Sequence, residues 1–134
     1  MVKENLGMEQ GSTRWFIDLD WYEQNGRSFL TLAQGCLCPQ CREQLQTNEI
    51  SVAQLVANIR DCCSKLPGFI TGELPILAVI FRLFLANGNK PLNLAELGRR
   101  LGEWRGGATY PPSAEFLSRL LKDERYYGIR RVLT

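Results

Sequence analysis

Five cysteines and no histidine occur in this chain of 134 residues. Three of the cysteines, Cys36, Cys38 and Cys41, fall within six positions, and Cys62 and Cys63 follow about twenty residues later. A C-x-x-C segment such as the one that ends at Cys41 turns tightly, so that two sulfur atoms can meet one ion while backbone N–H groups donate to them. Because the chain offers no imidazole, the spacing predicts an all-thiolate, tetrahedral metal site.

The number of thiols exceeds the number of ligands that such a site needs, since a tetrahedral ion takes four. We expect Cys38 and Cys41 to bind first, Cys36 next, and one member of the pair Cys62 and Cys63 to complete the set. Adjacent residues on a helix point about 100° apart, which argues against both members of the pair reaching one ion. Ordinary buried thiols are the alternative, since free cysteine is often buried, but the dense C-x-C-x-x-C run favours the metal.

The identity of the metal is open between two occupants. Zn²⁺ is the common partner of a C-x-x-C knuckle with two further thiols, and it stabilises such folds directly. A [4Fe–4S] cluster also fits a C-x-C-x-x-C run joined by one distant cysteine, and it would indicate a redox sensor. We favour Zn²⁺ and keep the cluster as the alternative.

The cysteine count and the length of the apolar segments indicate in which cellular compartment the protein lies. The count is odd and the N-terminal residues contain no apolar stretch like that of a signal peptide, so a disulfide framework is disfavoured. The most apolar run, residues 74–86, has 13 residues, whereas a bilayer needs roughly 20. We therefore expect a cytoplasmic protein with no membrane partner.

Charge is unevenly distributed along the chain. Residues 1–72 carry six Lys or Arg against eight Asp or Glu, whereas residues 73–134 carry ten against six. From Arg99 onward the count is eight against four. A basic C-terminal third points to a polyanionic partner such as nucleic acid.

Periodic patterns predict a mainly helical fold with a few short strands. Residues 15–21 alternate apolar and polar side chains, as a half-buried strand does. Ser51 and Gln54 form a capping-box pattern ahead of an apolar helical stripe. Residues 74–86 predict a helix that is apolar on most sides and central to the core. We place a helical cysteine metal module at residues 14–70 and a second domain at residues 73–134.

The second domain has a recognisable order of elements. After the apolar helix comes a capping-box pattern at Asn93 and Glu96 that opens a short helix. An amphipathic helix is predicted over residues 113–123, with Phe116 inward and polar or basic side chains outward. The closing segment, residues 126–132, is basic and rich in β-favouring residues. This order resembles that of winged-helix or helix-turn-helix domains.

That resemblance implies a function. In winged-helix proteins the third helix lies in the major groove and the wing contacts phosphates, so the implied partner is double-stranded DNA and the implied role is transcriptional regulation. The implied nucleic-acid contacts lie on the third helix and in the closing segment: Ser118, Arg119, Lys122, Arg125, Arg130 and Arg131.

Two other functions stay open, and an enzyme is not expected. The helix at residues 74–86 and a stripe containing Trp15 and Trp21 also suit a protein-interaction or homodimerisation module with structural zinc. An iron–sulfur cluster would indicate a redox sensor. Without histidine the commonest general base is missing, no Ser–His or Cys–His pair can form, and no glycine-rich phosphate loop with its lysine occurs.

Overall fold

The computed structural model describes residues 13–45, 50–104 and 112–132 of the chain. Within these residues the strands are β1 (Arg14–Ile17), β2 (Leu92–Asn93) and β3 (Ile129–Arg131). The helices are α1 (Leu19–Gln24), α2 (Phe29–Gln34), α3 (Pro39–Leu45), α4 (Val52–Asp61), α5 (Ile76–Ala86), α6 (Leu94–Trp104) and α7 (Ala114–Lys122), and a 3-10 turn spans Cys63–Lys65. The predicted class, mainly helical with a few short strands, is confirmed. None of the helices described is both long and apolar enough to cross a membrane.

Two predicted capping boxes fix where α4 and α6 begin. The Ser51 hydroxyl accepts from the backbone N–H of Gln54, and the Gln54 side chain accepts from the backbone N–H of Ser51, both at 3.1 Å. Asn93 and Glu96 exchange the same two bonds ahead of α6. These bonds satisfy N–H groups that the first helical turn leaves without partners.

The strand predicted over residues 15–21 is wrong beyond Ile17. The Asp18 carboxylate accepts a hydrogen bond from the backbone N–H of Asp20 at 3.0 Å and so caps α1. Leu19 and Trp21 therefore lie on a helix. An N-cap aspartate starts a helix because its side chain satisfies a free N–H group in the first turn.

The three strands form one antiparallel sheet in the order β2-β1-β3. Trp15 pairs with Leu92 on one side and Arg131 on the other, and Ile17 pairs with Ile129. The central strand comes from the predicted segment 14–70, whereas both its partners come from the segment 73–134. The sheet and one continuous set of buried side chains join the two segments.

Helix α5 lies in the middle of the core, as its composition predicts. Its buried side chains are Val79, Ile80, Phe81, Leu83, Phe84 and Leu85. It packs against α4, α6 and β1. Trp15 and Trp21 are also buried, so the aromatic stripe faces the chain's own interior. Burying one large apolar side chain contributes about 1.5–3 kcal/mol. Because α5 buries several such side chains and packs against both α4 and the 3-10 turn, it holds in place the segment that carries Cys62 and Cys63.

Helices α6 and α7 pack together through leucines. Leu97 and Leu101 of α6 and Leu117 and Leu121 of α7 are fully buried. Phe116 is 45% exposed, so the prediction that it points inward is wrong. Leu117 and Leu121 occupy the buried i, i+4 stripe, and the preceding residue lies about 100° away from it around the helix.

A buried carboxylate organises the segment between α7 and β3. Glu124 is 3% exposed. One of its oxygens accepts from the backbone N–H groups of Tyr126 and Tyr127, and the other accepts from that of Ile129 at 2.9 Å. Burial of a charged group is favourable only when such bonds replace its hydration. Glu124 thus sets the turn that returns the chain to β1.

Candidate metal centre

Two short stretches of chain present four sulfur atoms to one another. Cys38 directly precedes α3, and Cys41 lies in that helix's first turn. Pro39 occupies the first helical position, where its fixed φ and missing N–H are tolerated. Cys62 closes α4, and Cys63 begins the 3-10 turn. Helix α2, which ends shortly before Cys38, packs against α4 and so brings the two stretches near each other.

The four sulfur atoms are close enough to surround a single ion. Those of Cys38, Cys41, Cys62 and Cys63 all lie within 4.8 Å of one another. The Sγ atom of Cys38 is 4.0 Å from that of Cys62 and 3.3 Å from that of Cys63. Tetrahedral Zn–S bonds of about 2.3 Å place their sulfurs about 3.8 Å apart, which lies within this spread. All four are free thiols and form no disulfide.

Backbone N–H groups favour the thiolate form within this group. A hydrogen bond from the backbone of Cys41 is the main cause that lowers the pKa of Cys38 to about 7. The backbone N–H of Cys38 in turn donates to the sulfur of Cys63 at 3.2 Å. Burial acts in the opposite direction and raises the pKa of Cys41 and of Cys63. A cation at the centre would offset that desolvation, because metal binding displaces thiol protons.

Burial and one side-chain hydrogen bond hold the C-x-x-C segment, residues 38–41, in place. Cys38, Cys41 and Cys63 are buried, and Cys62 is half-buried. The guanidinium of Arg42 donates to the carbonyl of Leu37 at 3.3 Å. That bond ties the first turn of α3 to the residue ahead of Cys38. The arrangement resembles a closed structural site, in which the protein alone supplies the coordination shell.

The group of four cysteines differs from the ligand set expected from spacing. Cys36 is buried but lies outside the group, whereas Cys62 and Cys63 both belong to it. The expectation for the pair assumed that both residues are helical. Helix α4 ends at Asp61, and Cys62 has φ −124° and ψ −68°, so the two side chains leave the 100° spacing of a helix.

Cys36 occupies a different environment from the other four thiols. Burial raises its pKa, and the nearby charge of Arg82 acts in the opposite sense. No disulfide links it to another cysteine. It is a fifth, buried thiol beside the core.

The residues implied as nucleic-acid contacts lie on α7 and on the segment that follows it. Arg119, Lys122, Arg125 and Arg131 are exposed, and Ser118 and Arg130 are half-buried. Arg119 is 3.4 Å from the carboxylate of Glu115, in an exposed pair. The guanidinium of Arg130 lies 5.5 Å from the centre of the Trp21 ring. The structure therefore leaves most of these cations available to solvent.

Comparisons with protein-family models, with curated proteins and with solved structures found no match for this chain. Among the described residues, the four converging thiols are the feature with the most specific chemistry.

Proposed function

We propose that Cys38, Cys41, Cys62 and Cys63 bind one Zn²⁺ ion that fastens α3 to the end of α4. The observation that supports this most is the mutual approach of the four sulfur atoms to within 4.8 Å. Thiolates suit Zn²⁺ and iron, and tetrahedral four-sulfur sites are typical of both. No packing requirement calls for four thiols at this spacing.

The compactness of the group favours a single ion over a cluster. In an iron–sulfur cluster the cysteines bind at least two different irons, and those irons and their bridging sulfides lie between the cysteine sulfurs. Such sulfurs stand farther apart than those around one ion. The redox-sensor alternative therefore fits this group less well than zinc does.

The role proposed for the ion is structural and not catalytic. Catalytic zinc keeps an open position for water or substrate, whereas four protein thiolates fill the tetrahedron. The chain also has no histidine to serve as a general base. Zinc would instead contribute to folding, because the site forms only when α3 and α4 are in place.

The second part of the proposal is that the metal-stabilised chain binds double-stranded DNA as a transcriptional regulator with a winged-helix-like C-terminal half. The order α5, β2, α6, α7, β3 supports it, since three helices and two short strands follow one another in the order that the resemblance implies. Exposed Arg119 and Lys122 on α7, with Arg125 and Arg131 beyond it, supply the positive charge. The interaction-module alternative has less support, because Trp15 and Trp21 are buried in the chain's own core.

We expect the protein to bind duplex DNA with an affinity that falls steeply as salt rises. Removing one phosphate-binding side chain should make the slope of log K against log salt shallower by about 0.9. Fluorescence anisotropy with a labelled duplex measures this for the wild type and for Arg119→Ala and Arg131→Ala. Lys90→Ala is the matched control, because Lys90 is exposed but lies in the turn before β2. Absence of binding at low salt, or binding that salt leaves unchanged, would count against the DNA proposal and leave the zinc proposal standing.

A further inference from the structure

A cleft of about 640 Å³ adjoins the thiol cluster along the chain. One wall is formed by the end of α4 and the 3-10 turn, on either side of Cys62 and Cys63. Helix α5 contributes Leu83 and Ala86, and α6 contributes Arg100. The volume falls within the range of about 300–1,000 Å³ that is typical of small-molecule sites.

Positive charge predominates in this cleft. Its charged residues are Arg60, Lys65 and Arg100, against the single carboxylate of Asp61. The three cations come from three different stretches of chain. Within the described residues, neither Lys65 nor Arg100 forms an ion pair or a side-chain hydrogen bond. The cleft therefore carries a formal charge of +2. The hydrogen bond from Arg60 is the main cause that lowers the pKa of the Asp61 carboxyl, and the charge of Lys65 is a further cause.

The third cation, Arg60, forms an ion pair with Asp61 and lies beside Gly88. Its Nε and Nη2 atoms donate to the two carboxylate oxygens of Asp61 at 2.8 and 3.1 Å. On the other side lies Gly88, where an added Cβ would stand 3.4 Å from Cδ and from Nη1 of Arg60. The Arg60 side chain is 46% exposed in this pair and keeps N–H groups for a further acceptor.

An apolar surface accompanies the charges. Leu66, Pro67 and Ala86 give the same cleft an apolar side, and Leu66 is 43% exposed. Small-molecule sites commonly combine an apolar wall that buries the body of the ligand with a few polar groups that orient it. An inorganic ion alone would leave that wall unused.

We propose that this cleft binds a small organic phosphate, a phosphate monoester whose apolar or planar body lies on the Leu66, Pro67 and Ala86 surface. A phosphate monoester carries a charge of about −1.5 to −2 at neutral pH, which matches the cleft better than a single carboxylate does. Arginine binds phosphate through two parallel N–H···O bonds. The site goes beyond the zinc and DNA proposals and does not depend on either, although its wall is continuous with Cys62 and Cys63.

Phenyl phosphate is the probe for this proposal, added to the full-length protein as purified. Amide chemical shifts followed by NMR should move in a saturable manner at Asp61, Ser64, Lys65 and Arg100. Inorganic phosphate should bind about tenfold more weakly, because it has no apolar body to bury. Arg100→Gln and Lys65→Gln should each weaken phenyl phosphate binding by about tenfold.

The matched control is Arg99→Gln, which removes the same charge from the neighbouring, exposed position of α6. It should leave the affinity unchanged. A second variant, Leu66→Glu, changes an exposed side chain of the cleft and should abolish binding, which keeps the proposal testable if Arg100→Gln does not fold. The proposal is overturned if no saturable shift occurs, or if Arg99→Gln weakens binding as much as Arg100→Gln does.

Discussion

Replacing Cys41 by serine is expected to abolish stoichiometric zinc binding and to destabilise the fold severely. Structural zinc contributes about 10–16 kcal/mol in small peptide sites, so we expect the free energy of unfolding to fall by on the order of 5 kcal/mol. Serine has nearly the same shape but offers no thiolate. The remaining sulfurs of Cys38, Cys62 and Cys63 would repel one another when deprotonated, and one coordination position would have no ligand. Metal content and urea-induced unfolding of the purified variant measure both effects.

Cys36→Ala is the matched control, because Cys36 belongs to the same C-x-C-x-x-C run but lies outside the group of four. It should keep one zinc per chain and lose only the modest stability of a buried thiol. The assignment of the ligands is wrong if Cys41→Ser retains its zinc, or if Cys36→Ala loses zinc to the same extent.

Replacing Glu124 by alanine is expected to cost about 3–6 kcal/mol of stability, because it would leave three backbone N–H groups without their acceptor. A buried donor that loses its partner costs more than the average hydrogen bond contributes. The loss should be concentrated in the turn that leads to β3, so hydrogen exchange at Ile129 should accelerate more than exchange in α4. Urea unfolding of the metal-loaded protein gives the total effect.

Asp123→Ala provides the comparison for that variant. Asp123 is the adjacent acidic residue and it is exposed, so removing its carboxylate should change the stability by less than about 0.5 kcal/mol. Glu124→Gln should lie between the two, since an amide keeps one acceptor oxygen but turns an N–H group toward the backbone donors. Equal stabilities for Asp123→Ala and Glu124→Ala would show that the buried carboxylate does not organise this segment.

Local patterns predicted the four later helices, α4 to α7, but α1 begins inside the segment that was predicted as a strand. The capping boxes at Ser51 and Asn93 lie where the side-chain bonds form, and Leu97 and Leu101 occupy the buried stripe of α6. Both signals depend on neighbours three or four residues apart, which sequence periodicity records directly. The central position of α5 follows from its composition, because a helix that is apolar on most sides must be buried on most sides.

Long-range pairing was beyond the reach of periodicity. Strand β1 lies between β2 and β3, which come from the other end of the chain. Two hydrogen bonds also link Asn89 to Ile17 across 72 residues. The Asn89 side-chain oxygen accepts from the Ile17 backbone N–H at 2.8 Å, and the Asn89 side-chain nitrogen donates to the Ile17 carbonyl at 2.9 Å. Partners so far apart leave no periodic trace, and β2 has only two residues.

The sequence predicted a site made of cysteine thiolates, but it did not predict which four cysteines come together. The spacing of Cys38 and Cys41 identified the knuckle, because C-x-x-C geometry is local. Membership of both Cys62 and Cys63 depended on the end of α4, and helix boundaries depend on tertiary contacts as well as on local sequence. The basic cleft was missed altogether, since Arg60 and Arg100 lie forty positions apart and only packing brings them together.

X-ray absorption at the metal edge of protein purified without oxygen tests the central claim most directly. We predict one zinc per chain with a first shell of four sulfur atoms at about 2.3 Å and no lighter ligand. Iron with bridging sulfide, a shell containing oxygen or nitrogen, or protein that purifies and folds without any metal would contradict it.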